Sequence, residues 1–477
     1  MPGLVVNHDG SNSGTMLSVS APYDGQLLAE VETAGLRQVQ SALDSAYRLF
    51  RDRDKWLAPA ERIGVLERTA RIMRRESDSL AMTAALEGGK PLMDSQVEVQ
   101  RAIDSVKLCI EHLRGVAGSV IPMGGTTASS HRAAFTQREP VGVVVAVSAF
   151  NHPLNLIVHQ VAAAVAAGCP VIVKPADDTP LSCLGFVRIL RRAGLPSMWC
   201  QVIVADDIAT AEALVTDPRV GFFSFIGSPK VGWMLRSKIA PGTRCALEHG
   251  GAAPVILMKD ADPELASRSI AKGGFYHAGQ VCVSVQRVFV PAAFAHDFAQ
   301  SLADRAASLR IGDPGRADTD VGPLIRATEV QRVTAWVDEA IGAGAERLTG
   351  GAPIGETMYQ PTVLFDPPLD ARVSREEIFG PVVCVYSYES LDEAIGIAND
   401  LPFAFQAAVF TTDINSALRV FRRIDASAVM VNDHTAFRAD GMPFAGLRQS
   451  GLGVGGIPYT IDDMEINKML VLHSPEL

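Results

Sequence analysis

A chain of 477 residues, 48% hydrophobic and 20% charged, has an ordinary globular balance, and at about 150 residues per structural unit it holds roughly three units. Lysine and arginine number 43 against 53 aspartate and glutamate, a formal net charge of −10. No overall pull toward nucleic acid or an anionic membrane surface follows from that balance, so polyanion-binding classes are set aside.

The seven cysteines (Cys109, Cys169, Cys183, Cys200, Cys245, Cys282 and Cys384) are scattered, with no Cys-x-x-Cys pair and no Cys/His cluster at zinc spacing. Neither a disulfide framework nor a structural metal is expected. Met1 to Gly14 is polar and lacks a basic start followed by an apolar stretch, so a cytoplasmic protein is expected. The most apolar region, 141–173, is interrupted by Asn151, His152, Pro153, Asn155, His159 and Gln160. It reads as buried core rather than a membrane span.

In chain order, Leu36 to Gly118 reads as helical: Leu43, Ala46, Tyr47 and Phe50 recur on one face, Ile63, Leu66, Ala70 and Met73 on another, and Gly88-Gly89-Lys90-Pro91 stops a helix. Val120 to Glu139 loses that period and reads as an exposed strand pair, an arm. From Val141 short apolar runs alternate with helices: strands at 141–147, 171–173, 202–204 and 220–226, helices at 155–167, 181–193 and 208–215. Such alternation predicts βαβ units around a parallel sheet covered on both faces. A second α/β set runs from Val255 to Phe444, with strands near Val288, Val363, Val382 and Val409 and helices over 294–309 and 329–342.

Several strand ends carry chemistry-bearing residues. Gly227-Ser228-Pro229-Lys230-Val231-Gly232 follows the run 220–226, with Ser228 a good N-cap and Pro229 suited to the first helical position. Free N–H groups at that helix start suit a pyrophosphate, although a plain strand-to-helix turn also fits. Lys174-Pro175-Ala176-Asp177 places a lysine and a carboxylate just past a strand, where Asp177 fits either the hydroxyls of a ribose or a helix cap. Glu248-His249-Gly250-Gly251 ends another strand pattern. Gly279-Gln280-Val281-Cys282 sets a cysteine among small residues, either a packing residue or a nucleophile. Asn151 supplies an amide donor at a strand end or serves a turn.

Taken together, Pro140-Val141-Gly142-Val143, Phe150-Asn151-His152-Pro153, Lys174-Pro175-Ala176-Asp177, Gly227-Ser228, Glu248-His249-Gly250-Gly251, Gly279-Gln280-Val281-Cys282, Glu376-Glu377-Ile378-Phe379-Gly380-Pro381 and Pro443-Phe444-Ala445-Gly446 resemble the aldehyde dehydrogenase superfamily in order and spacing. The resemblance covers nearly the whole chain. It implies an α/β architecture: a Rossmann-like nucleotide-binding domain (1–119 and 141–247), an α/β catalytic domain (248–454), and a small β oligomerisation arm with a tail (120–140 and 455–477).

By that resemblance Cys282 is the nucleophile that attacks an aldehyde, Asn151 a donor to the resulting oxyanion, and Glu248 the general base for deacylation of the thioester. Lys174 and Asp177 match positions at the adenosine ribose, Gly227 and Ser228 those near the pyrophosphate, and Glu377 and Phe379 those around the nicotinamide ribose. The cofactor expected is NAD, because Asp177 repels a ribose phosphate, with NADP also open since Lys174 and Lys230 offset that charge. Arg101, His152, His434 and Arg438 are expected at the substrate entrance, which suits a small hydroxylated or anionic aldehyde such as lactaldehyde or a semialdehyde. Glu248 favours release of a free acid over transfer to coenzyme A. The competing readings are a catalytically silent structural or ligand-binding member and a coenzyme A acylating enzyme. The arm and tail imply a homodimer or homotetramer. Departures from the commonest pattern are Phe150 for Trp, Asp177 for Glu, His249 for the Leu after the glutamate, Ile226 for Thr and Ala445 for Gly.

Overall fold

The computed structural model describes residues 15–477, so the reading of the polar lead Met1 to Gly14 lies outside the described residues. Three sheets set the architecture, which matches the expected α/β class. The first has six strands in the order Gly451–Leu452, Arg244–Glu248, Val220–Ile226, Val143–Val147, Val171–Lys174, Cys200–Val202, parallel except for the short Gly451–Leu452 edge. The chain leaves the central strand Val143–Val147 toward one side and later returns on the other, which opens a crevice beyond the carboxyl ends of the strands.

The central strands of this sheet are buried on both faces: Val143 to Ala146 and Val171 to Val173 have no measurable exposure. That explains their continuous apolar runs, because helices cover either side. The helix Asn155–Ala167 shows the same all-round apolarity, with Ile157 to Ala167 packed in the core around it. The region 36–118 resolves into four helices, Leu36–Arg51, Pro59–Arg75, Ser77–Gly88 and Leu92–Gly115. Pro59 opens the second, and Gly89, at φ +72, closes the third in the left-handed region. A side chain on Gly89 would press on Pro323 and Pro22, at 2.8 and 3.0 Å, so glycine is required there.

The second sheet has seven strands in the order Glu346–Thr349, Thr362–Phe365, Val382–Tyr388, Val285–Pro291, Ala253–Leu257, Gln406–Phe410, Ala428–Val431, parallel except at the Glu346–Thr349 edge. It has its own core, in which Val288, Phe289, Val383 and Val409 are fully buried. The strand expected at 202–204 lies two residues earlier, at Cys200–Val202, where it pairs with Val171–Val173. The third sheet is small and antiparallel: Val120–Ile121, Arg132–Pro140 and the chain-terminal Glu465–His473, the last pair in register over nine residues. Among the described residues no helix is long and apolar enough to cross a membrane.

Candidate active site

A cavity of about 760 Å³ opens between the two large sheets, at the carboxyl ends of the first. Cys282, Glu248, Asn151, Lys174, Asp177, Gly227, Ser228, Glu377, Phe379, Arg101, His152 and Arg438 all line it. His434 does not: its Cβ packs against Gly273, and its neighbours are Asp433 and Lys272 on the other side of the loop. The loop 432–438 turns between them, so only its Ala436 and Arg438 reach the cavity.

Cys282 sits in a turn closed by the Ser284 N–H donating to the Val281 carbonyl at 2.9 Å. Val281, Val283, Phe405 and Phe444 pack around it. Burial above all, helped by the Glu377 and Glu248 carboxyls, pushes its thiol up to about 12 against the pull of the Arg438 guanidinium. Burial likewise raises the Glu248 carboxyl, again opposed by Arg438. The thiol, the carboxyl and the guanidinium therefore share one electrostatic environment. Of the other cysteines, Cys109, Cys169, Cys183, Cys200 and Cys384 are buried in the cores.

Asn151 lies in the bend between the strand Val143–Val147 and the helix Asn155–Ala167. Its Nδ2 donates to the Gln280 carbonyl at 3.0 Å. An amide nitrogen carries two hydrogens, so one fixes the side chain and the second remains to serve an oxyanion. Gln280 is held in turn, with Nε2 donating to the His277 and Pro323 carbonyls and Oε1 accepting from the Ile325 N–H. Beneath the bend, a fully buried Lys90–Glu98 ion pair ties the segment down. Glu98 accepts the Leu154 and Asn155 N–H groups at 2.9 Å each, and Lys90 donates to the Asn151 carbonyl at 3.3 Å. These supports carry no local sequence signal, since Lys90 and Glu98 read only as a helix stop and a helical polar residue.

The far end of the cavity fits a dinucleotide. Glu377 Oε1 is buried without a hydrogen-bond partner, and burial pushes this carboxyl up to about 8 against the Gly251 N–H and Arg332. Its carboxyl occupies the space a side chain on Gly250 would need. The loop carrying it is anchored by Gln286, whose Nε2 donates to the Val373 and Glu376 carbonyls while Oε1 accepts from the Ile378 N–H. Phe379 holds φ +46, a backbone state costly for a bulky residue and characteristic of functional loops. Ser228 stands at the N-cap of the helix Pro229–Arg236, but its side chain makes no capping bond. Lys174 Nζ donates to Asp177 at 2.8 Å, with Asp177 half exposed. A buried carboxyl with one oxygen still unpartnered, a helix start and a lysine–aspartate pair along one trough suit two riboses joined by a pyrophosphate.

Toward the other end, Arg101 makes a two-point ion pair with Asp440, at 3.0 and 2.7 Å. Asp440 also bonds the His159 ring at 2.8 Å and the Asn155 amide at 3.2 Å. Arg101 is thus committed, whereas Arg438 Nε and Nη2 are buried without a partner. His152 Nε2 meets the Tyr276 hydroxyl at 3.1 Å, and burial holds this ring well below its ordinary value, hence neutral. Tyr276, Arg326, Arg332, Trp336 and Phe444 also line the cavity. Apart from Phe444, which stands in the motif 443–446, sequence reasoning did not single these out, because each lies in an otherwise ordinary helix or turn.

The family model for the aldehyde dehydrogenase family matches residues 9–469. The chain belongs to that family. A 3-sulfolactaldehyde dehydrogenase of Priestia aryabhattai is 36% identical over 471 residues, covering 99% of this chain and 98% of that protein. Among solved structures, aldehyde dehydrogenase 21 from Physcomitrella patens, in complex with the reaction product succinate, superposes with a TM-score of 0.93 at 33% identity, over 98% of this chain and 96% of that one. Glyceraldehyde-3-phosphate dehydrogenase from Methanocaldococcus jannaschii, complexed with NADP, gives a TM-score of 0.92 at 32% identity, over 98% and 100%. As expected from its motifs, this aldehyde dehydrogenase is an α/β enzyme.

Proposed function

We propose that this aldehyde dehydrogenase oxidises a small hydroxylated or anionic aldehyde to its free carboxylic acid, with NAD as acceptor and NADP as a usable substitute. The observation that carries the reading is the convergence of Cys282, Glu248, Asn151 and the unpartnered Arg438 on one cavity.

Cys282, as the thiolate, adds to the aldehyde carbon, and the carbonyl electrons move to oxygen. Asn151 holds that oxyanion with its remaining Nδ2–H, a preorganised donor worth ~3 kcal/mol in the transition state. When bound, the dinucleotide supplies the hydride acceptor, held by Glu377 at one ribose, Gly227 and Ser228 at the pyrophosphate, and Lys174 with Asp177 at the other ribose. With the acyl group on sulfur, Glu248 takes a proton from water as its oxygen adds to the acyl carbon. The carbon–sulfur bond then breaks and the acid leaves. The raised carboxyl of Glu248 brings its proton affinity closer to neutral pH, where a general base works best.

Arg438 selects the substrate class. A buried guanidinium with free N–H groups favours a carboxylate or sulfonate tail, and His152 with Tyr276 offers hydrogen bonds to a hydroxyl. The names of the relatives, 3-sulfolactaldehyde dehydrogenase and an enzyme bound to succinate, support that class. The three-stranded sheet 120–140 with 465–473 serves as an assembly arm in a homodimer or homotetramer.

The test is a panel of 3-sulfolactaldehyde, succinic semialdehyde, lactaldehyde and hexanal with each dinucleotide, the product acid being measured in the absence of coenzyme A. Highest kcat/KM on a charged aldehyde with release of free acid supports the reading. A preference for hexanal, or turnover only with coenzyme A, overturns it.

A further inference from the structure

We propose that His249 is a positioning residue for the dinucleotide, a ring that locks the turn Gly227-Ser228 onto the strand end bearing Glu248. The inference rests on the assignment of that turn to the pyrophosphate.

Two hydrogen bonds join the turn to the Glu248 strand from both of its polar faces. The Gly227 N–H donates to the Glu248 carbonyl at 3.1 Å, and the Gly227 carbonyl meets His249 Nδ1 at 2.9 Å. A carbonyl can only accept, so Nδ1 carries the ring hydrogen and Nε2 is the bare nitrogen. Nε2 has no partner and no solvent, which leaves Nδ1 as the only polar use of a side chain that is 1% exposed.

The ring cannot turn away from this bond. Its edge-on neighbours are Phe225 at 5.6 Å and Trp233 at 5.8 Å between ring centroids, and Trp233 is fixed by its Nε1 donating to the Gln449 carbonyl at 3.2 Å. Gly232, on the helix that starts at the turn, lacks a side chain where the ring stands: a Cβ there would fall on the imidazole. The ring is thus wedged between the strand that ends at the turn and the helix that begins there.

A leucine at this position, the commoner residue in this sequence pattern, fills the same space but leaves the Gly227 carbonyl without its donor. The turn would then be held by one bond instead of two, and part of the binding energy of the dinucleotide would go into ordering it. The loss falls on dinucleotide affinity, while Cys282 and Asn151 are held by other contacts.

The experiment measures NADH binding by fluorescence titration for wild type, His249→Leu and His249→Asn, with thermal melting of each unliganded protein. Asparagine can place its amide nitrogen where Nδ1 stands and so keep the bond to Gly227. His249→Leu is expected to raise the dissociation constant about 3- to 10-fold, the equivalent of one neutral hydrogen bond, and His249→Asn to restore most of it. In steady state the Leu variant should show the loss in KM for NAD, recovered at saturating dinucleotide. Leu binding as tightly as wild type, or Leu and Asn weakened alike in step with their melting temperatures, overturns the positioning role. Wild type failing to bind NADH overturns the dinucleotide assignment itself, a result distinct from the other two.

Discussion

The guanidinium carbon of Arg438 lies 3.6 Å from the centroid of the Phe444 ring. The arginine is thus stacked on an aromatic face while Nε and Nη2 stay without protein acceptors, a geometry that holds the charge in place at the cavity wall without neutralising it. Burial lowers its proton affinity and Glu248 restores part of it. The same charge therefore acts on Glu248, Cys282 and any anion that enters.

Arg438→Met should raise KM for succinic semialdehyde about 10- to 100-fold, the range of a lost hydrogen bond to a charged group. For uncharged hexanal the change in KM should be small. Steady-state kinetics on both aldehydes check this, and equal losses on the two would show that Arg438 does not read the substrate's charge.

The Cys282 thiol, pushed up to about 12 by burial, should be alkylated by iodoacetamide in the dinucleotide-free protein at a rate that climbs steadily from pH 7 to 10 without a plateau, because only the thiolate reacts. Arg438→Met removes the cation that draws the thiol down, so its rate should be lower at every pH. Peptide mapping of the label, with Cys282→Ala as control, separates this site from the half-buried Cys245.

Glu377 makes a pH prediction for stability. Its folded carboxyl is raised to about 8 by burial, so its contribution is fully present below the ordinary carboxyl value near 4.5 and is lost as pH rises toward 8. Glu377→Gln should therefore show a shallower decline in melting temperature between pH 5 and pH 8 than wild type. Parallel declines would mean that the carboxyl is solvated in solution.

Among the described residues nothing pairs with the outer edge of the strand Glu465–His473, which exposes Met469, Leu470, Val471 and Leu472. An edge of that length and apolarity is the surface that the proposed dimer or tetramer would cover. Light scattering should give two or four times the 50.8 kDa of one chain, and Leu472→Glu should shift the distribution toward the monomer. A wild-type monomer would contradict the assembly.

Much of this was legible in the sequence because the physics was local. The runs 220–226 and 208–215 form a strand and a helix with those same limits, since a doubly covered parallel strand must be continuously apolar and a helix amphipathic. What was not legible depends on distant partners. Lys90 and Glu98 support Asn151 only after the helix Leu92–Gly115 packs against the helix Asn155–Ala167, and Arg101 is claimed by Asp440 from 339 residues away. His434 and Arg438 read alike in the sequence, but the turn between them sends one toward Gly273 and the other into the cavity. The ninefold register of Glu465–His473 on Arg132–Pro140 likewise joins segments with no pattern linking them.

The most direct test of the chemistry is intact-protein and peptide mass spectrometry of Glu248→Gln mixed with NAD and succinic semialdehyde. With hydrolysis slowed and oxidation intact, a succinyl group should accumulate as a thioester on Cys282 while one equivalent of NADH forms. NADH formation with no acyl group on Cys282, or an acyl group on another cysteine, would contradict the account.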